Sequence, residues 1–238
     1  MNLRTYIRKT IIENLLSEKT FDVFHGTNNT FDTFSYDKIG SNTQHAWNGH
    51  GFYFSDNKSE SAFYGKNIMK FRIKLDNPLD ITQIKDTSVP GSGLVKFFAN
   101  TKGFEDLKID GYTYKELSYI LNKLEHEYDP NKISFSEGSN KHFQHVWYEY
   151  DGTEYVLRDK TKNDIENKEW IRSLFLSQIL IDKYNIDTMP VRIKDIMNPA
   201  SFTLIAKQNG YDGVIAPNST AFDGNEYVVF DRNNIQPV

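Results

Sequence analysis

The sequence predicts an α+β fold, and two observations carry that expectation. Runs rich in aromatic and β-branched residues, bounded by Gly, Pro and Asn, lie towards both ends of the 238-residue chain, whereas the middle carries apolar side chains at helical spacing. Length adds a bound: a chain of this size buries a sizeable core, as one domain or as one domain with an insertion. The second arrangement is expected here, a single domain over residues 1–238 with a helix-rich insertion at about 79–200.

Each element has its local reason. Ile7, Ile11, Ile12, Leu15 and Leu16 recur at helical spacing among Arg4, Arg8, Lys9 and Glu13, so residues 3–18 read as an amphipathic helix docked on the domain. Thr20 to Phe24 is a short β-prone run leading into His25-Gly26-Thr27-Asn28-Asn29-Thr30, where Gly and Asn mark a loop. A mobile loop is expected over 35–50, with Gly40, Asn42, Asn48 and Gly49, and it contains His45 and His50. Phe52-Tyr53-Phe54 ends a strand, and Ser59 to Tyr64 forms a short helix capped by Asp56 or Ser59. Such a fold-back brings Tyr53 and Tyr64 face to face across a slot for one flat ring. Ile68 to Leu75 alternates Met69, Phe71, Ile73 and Leu75 with Lys70, Arg72 and Lys74, a half-exposed strand stopped at Asn77-Pro78.

In the middle, Tyr112 to Tyr128 and Asp164 to Tyr184 read as helices, and Phe143 to Leu157 as a hairpin turning at Asp151-Gly152. This segment is expected either to select a target or contact an inhibitor, or only to stabilise the fold. Ser201 to Asn209 is a helix stopped by Gly210, Tyr211 to Ile215 a strand, and Glu226 to Phe230 the last long strand.

Composition excludes several classes. A net charge of −4 and a pI near 5.9 give no general attraction to nucleic acid or anionic membrane, although Lys66, Lys70, Arg72 and Lys74 would supply a local basic groove. There is no cysteine, so disulfides and thiolate metal sites are ruled out. His142 and His145 precede a strand and lack carboxylate partners, so no metal site is expected. Gly91-Ser92-Gly93 does not make a phosphate-cradling fingerprint. Residues 1–19 hold no continuous apolar run, which points to a cytoplasm, the cell's own or that of a target cell.

Three separated blocks carry a resemblance. Phe24-His25-Gly26-Thr27, the stretch Gly51 to Tyr64 with ten residues between its tyrosines, and Asn225-Glu226-Tyr227-Val228-Val229-Phe230-Asp231 together resemble ADP-ribosyltransferases of the diphtheria-toxin and poly(ADP-ribose) polymerase type. Residues 21–77 and 201–235 bear the likeness; the middle does not. The resemblance implies a split pair of mainly antiparallel sheets forming a cleft, with NAD as substrate and no metal. It implies that Tyr53 and Tyr64 sandwich the nicotinamide and that the backbone of Gly26, in the block that ends at Thr27, bonds the carboxamide with help from Ser61. By the same token His25 bonds a ribose hydroxyl on the adenosine side.

Glu226 is the expected catalytic group, accepting from the ribose 2′-hydroxyl and stabilising the oxocarbenium-like carbon as the nicotinamide leaves. Gly224 stands two residues before it, where arginine-modifying relatives resemble one another in having Glu or Gln, and this speaks against arginine as acceptor. The implied activity is transfer of one ADP-ribose to a macromolecule, a protein side chain or a nucleic-acid base, in a toxin or phage-conflict effector. An antitoxin or immunity protein is the other partner implied, and no membrane. NAD glycohydrolysis and non-catalytic NAD binding are the alternatives.

Overall fold

The structure, a computed structural model, describes residues 19–41, 46–137, 144–187, 189–218 and 223–238. The helix expected over 3–18, and with it Asn42, His45 and His142, lies outside the described residues. The chain divides into two compact units, one formed by the residues up to Thr82 together with Met197–Val238, the other by Gln83–Ile196.

The first unit is a seven-stranded sheet. Its strands are β1 (Thr20–Thr27), β2 (Phe52–Ser55), β3 (Asn67–Lys74) and β4 (Leu79–Asp80) and, after the middle of the chain, β10 (Gly213–Pro217), β11 (Asn225–Val229) and β12 (Ile235–Pro237). They lie in the order β12-β3-β1-β2-β11-β10-β4, antiparallel except for β10 beside β4. β1 pairs with β3 along its whole length, from Thr20 opposite Lys74 to Thr27 opposite Asn67, and β2 pairs along its whole length with β11. Between them β1 meets β2 at one position, Phe24 opposite Ser55. The sheet is therefore two half-sheets that part beside β1.

Two expectations about this unit are corrected. His25-Gly26-Thr27 is the end of β1, not the start of a loop, because β3 continues opposite it and supplies ladder partners as far as Asn67. The short helix, α1 (Lys58–Ser61), is capped by Asn57, whose side chain accepts from the N–H groups of Ser59 and Glu60 at 2.9 and 3.3 Å; a 3-10 turn over Ala62–Tyr64 follows. Asp56 instead holds the start of β11, its carboxylate accepting from Asn225 N at 2.8 Å.

Alternation on β3 runs as the sequence predicts, with Phe71 and Ile73 buried and Lys70 and Arg72 exposed. Phe71 and Ile73 join Val23, Phe34, Phe52, Phe54, Tyr227 and Val229 in one apolar core. The helix closing this unit after the middle of the chain starts two residues earlier than predicted, at Pro199, because Asn198 accepts from Ala200 N and caps it (Pro199–Gln208).

The second unit is richer in strand than expected. It holds α2 (Ser92–Ala99), a two-stranded ribbon of β5 (Lys108–Ile109) and β6 (Tyr112–Thr113), and α3 (Tyr114–Glu127), opened by a capping box between Thr113 and Glu116. A three-stranded sheet follows: β7 (Ile133–Glu137), β8 (Gln144–Tyr150) and β9 (Thr153–Lys160). β8 and β9 turn at Asp151-Gly152, both with positive φ, as the Asp-Gly pair predicts. The single helix read from Asp164 is two, α4 (Lys162–Glu166) and α5 (Lys168–Tyr184), because Asn167 interrupts it and caps the second by accepting from Trp170 N. α6 (Ile193–Ile196) ends the unit, which makes the Pro199–Gln208 helix of the first unit α7. Phe175 of α5 packs on Tyr148 of β8 with ring centroids 5.4 Å apart.

Candidate active site

Side-chain alternation on β2 and β11 builds one wall of a site. Phe52, Phe54, Tyr227 and Val229 point into the apolar core, so Tyr53, Ser55 and Glu226 fall on the opposite face. There Glu226 stands directly across from Ser55. Where the half-sheets part, these side chains meet His25 and Gly26 from β1, Glu60 and Ser61 from α1, Tyr64 from the 3-10 turn and Trp47, enclosing a cavity of about 230 Å³. The sequence-predicted residues His25, Gly26, Tyr53, Ser61, Tyr64 and Glu226 thus line one cavity. Thr27 does not line it. Thr27 lines a second, larger cavity of about 610 Å³ bounded by the segment from Asn29 to Ser41, and His25 and Tyr53 line both.

Burial shapes the chemistry of this wall. Glu226 is pushed up to about 7 by desolvation, with the carboxylate of Glu60 adding repulsion and a hydrogen bond from Asn48 working the other way. Glu60 is itself 1% exposed, and its Oε2 accepts from the Ser55 hydroxyl at 2.8 Å. Two carboxylates therefore share a cavity whose other walls are largely aromatic, from Phe24, His25, Trp47, Tyr53, Phe54 and Tyr64. The phenols of Tyr53 and Tyr64 are both raised, first by burial and then by the charge of Glu226, so both stay protonated and present neutral rings.

His25 is neutral, since burial lowers it. Its Nδ1 lies 2.8 Å from the Tyr53 carbonyl, and a carbonyl only accepts, so Nδ1 carries the proton and Nε2 is left as an acceptor. Phe31, Phe34 and Phe54 surround the ring at 5.1 to 5.8 Å and fix its plane.

Ser61 donates to the carbonyl of Phe24 at 3.2 Å, which shows that the Phe24 carbonyl points away from β3 towards α1. Alternation then aims the backbone N–H and C=O of Gly26 the same way. No side chain fits at Gly26, where a Cβ would stand 1.7 Å from the Ser61 carbonyl oxygen. The Thr27 hydroxyl is turned to its own chain, accepting from Asn29 N at 3.2 Å.

Sequence reasoning missed Asn48 and Glu60. Asn48 donates from Nδ2 to Glu226 Oε1 at 2.7 Å, although it was read only as a loop marker. No local signal would have found it, because the contact joins positions far apart in the chain. Glu60 lies inside the second block, three residues after the Asn57 cap, and that position was the available hint. His50 of the same loop as Asn48 is exposed, and its N–H donates to Thr203 Oγ1 at 2.8 Å. His145 sits beside Trp147 in the second unit. Among the described residues there is no group of three or more His, Asp or Glu arranged to hold a metal ion, and no helix long and apolar enough to cross a membrane.

A split, mainly antiparallel sheet that brings a histidine, two tyrosines and a glutamate to one cavity, in that chain order, defines the ADP-ribosyltransferase class. The chain belongs to the family described as ADP-ribosyltransferase in polyvalent proteins, whose family model matches residues 19–238. That match runs through the middle segment, which the three-block resemblance did not reach. Searches of curated proteins and of solved structures found no match.

Proposed function

We propose that this chain cleaves NAD at the nicotinamide–ribose bond and transfers a single ADP-ribose to a protein acceptor. The observation that carries the reading is the convergence of His25, Tyr53, Tyr64 and Glu226, drawn from the first and last thirds of the sequence, on one cavity. In this reading the nicotinamide lies between Tyr53 and Tyr64 with its carboxamide on the Gly26 backbone, and His25 Nε2 takes a ribose hydroxyl at the junction with the larger cavity. Glu226 accepts from the 2′-hydroxyl and stabilises positive charge as it grows on the ribose carbon. Ionised Glu226 is the working form, so turnover rises with pH through about 7.

The choice of a protein acceptor rests on charge. Most of the charge of the basic strip on β3 is offset, Lys70 and Arg72 sharing Asp22 at 2.9 and 2.8 Å and Lys74 standing 3.5 Å from Asp76. A groove that grips phosphates needs cations without such partners. The role is that of a toxin or phage-conflict effector. The experiment is incubation with labelled NAD and a cell lysate, with nicotinamide release followed in parallel. Label lost to protease and retained through nuclease supports a protein acceptor; label lost to nuclease reverses that choice; and nicotinamide release without macromolecular label identifies a glycohydrolase instead.

A further inference from the structure

We propose that Asn48 is a positioning residue for Glu226, its amide gripping one carboxylate oxygen so that the other is the one offered to the substrate. The proposal rests on the transferase reading above. Asn48 Nδ2 donates to Glu226 Oε1 at 2.7 Å. A carboxylate has two oxygens and a free torsion, and a donor fixed on one of them selects both the torsion and the oxygen left over.

The donor is itself fixed. Asn48 N donates to the Tyr53 hydroxyl at 3.1 Å, and that hydroxyl donates to the Gly49 carbonyl at 2.7 Å. His50 N donates to Thr203 Oγ1 and to the Pro199 carbonyl of α7. Three consecutive residues without helix or strand are thus each tied down, and Asn48 is 9% exposed. A surface loop has no need of that. The Tyr53 phenol gains a second task, holding the loop that holds Glu226.

An amide does not titrate, so its hydrogen bond favours the ionised carboxylate at every pH. The groups facing Glu226 from the other elements are Glu60 on α1, which opposes ionisation, the neutral phenols of Tyr53 and Tyr64, and neutral His25 on β1. Asn48 is the one among them that stabilises the charge.

The test follows Glu226 directly by carbon-13 NMR in protein labelled at the glutamate carboxyls, the resonance being assigned by its loss in Glu226→Gln. In Asn48→Ala the carboxyl is expected to titrate about one pH unit higher than in the wild type. kcat for nicotinamide release falls about tenfold or more, as for other residues that orient a reacting group, while KM for NAD stays within about twofold. Asn48→Leu keeps the bulk and loses the donor without adding a charge, so it reproduces the direction of the shift even where the Ala variant fails to fold. An unmoved titration in a folded variant overturns the proposal, as does a rise in KM with kcat unchanged, which marks a loop that only packs. The titration needs no turnover, so a wild type that releases no nicotinamide overturns the transferase reading by a separate readout.

Discussion

The two compact units bury different kinds of polar group. Among the described residues, the unit that carries the cavity buries Thr27, Asn48, Ser55, Glu60, Ser61 and Thr203, with an amide and a carboxylate among them, whereas Gln83–Ile196 buries the small hydroxyls Ser88, Ser92, Thr101 and Ser118. A buried carboxylate costs several times what a buried hydroxyl does, even when hydrogen-bonded. The first unit bears that cost where its two half-sheets part and where the two carboxylates meet. The second spends its interior on Phe98, Tyr114, Leu121, Tyr148 and Phe175. One unit buries a carboxylate at the cost of its own stability; the other, among the described residues, buries none.

The sharpest break of this contrast is in the second unit's core. Phe175 is fully buried on Tyr148, so Phe175→Ala is expected to lower stability by about 3–5 kcal/mol, measured by denaturant unfolding. A loss below about 1 kcal/mol would mean that this core is loosely packed. Glu226→Gln does the opposite. It lowers turnover by roughly 10²–10³-fold, read from nicotinamide release, while the protein becomes more stable above neutral pH.

The sign of that gain follows from linkage. Folding raises Glu226 from 4.5 to about 7, so the wild type suffers no penalty below about 4.5, a growing one as pH rises, and the full one above about 7. Removing the charge recovers on the order of 3 kcal/mol there and little at pH 4. Equal stabilities at pH 8 would show that Glu226 is not desolvated.

Glu60→Gln sharpens the comparison within the cavity. Glu60 adds repulsion to Glu226, so the variant's acid limb in kcat/KM is expected about one pH unit lower, the reverse of the shift for Asn48→Ala. A limb that stays in place would separate the two carboxylates. Tyr64→Ala is the smallest change. Tyr64 lies at the rim with 37% of its surface exposed, and loss of its ring is expected to weaken NAD binding by about 0.5–1.5 kcal/mol beyond the area lost. Calorimetry with unchanged affinity would remove the ring from the slot.

What was legible in the sequence was what short range decides. The Asp151-Gly152 hairpin follows from two adjacent backbones, and the alternation of β3 from period two. The strand-turn-helix carrying Tyr53 and Tyr64 is likewise written within a dozen residues. Long-range choices were hidden. Asn48 finds Glu226, and Ser55 faces Glu226, only because β2 and β11 pair. His25-Gly26-Thr27 looks like a loop until β3 is laid beside it. α2 was not predicted, because two glycines at its start weaken a helical reading, yet Gly93 serves close packing inside the helix, its Cα hydrogen standing where a Cβ would be 2.4 Å from the Lys85 carbonyl oxygen.

Gly224 carries a consequence for how this chain can change over evolutionary time. Its φ is 127°, and any side chain would begin 2.3 Å from Asp56 Oδ1, the same carboxylate oxygen that accepts from Asn225 N as β11 begins. A Glu or Gln at this position is therefore not one tolerated substitution away. Asp56 must change first or together with it, and changing Asp56 alone releases the strand that carries Glu226. The backbone conformation at 224 disfavours a side chain even when Asp56 has changed, so drift by point mutation leaves the lineage on its present side of that barrier.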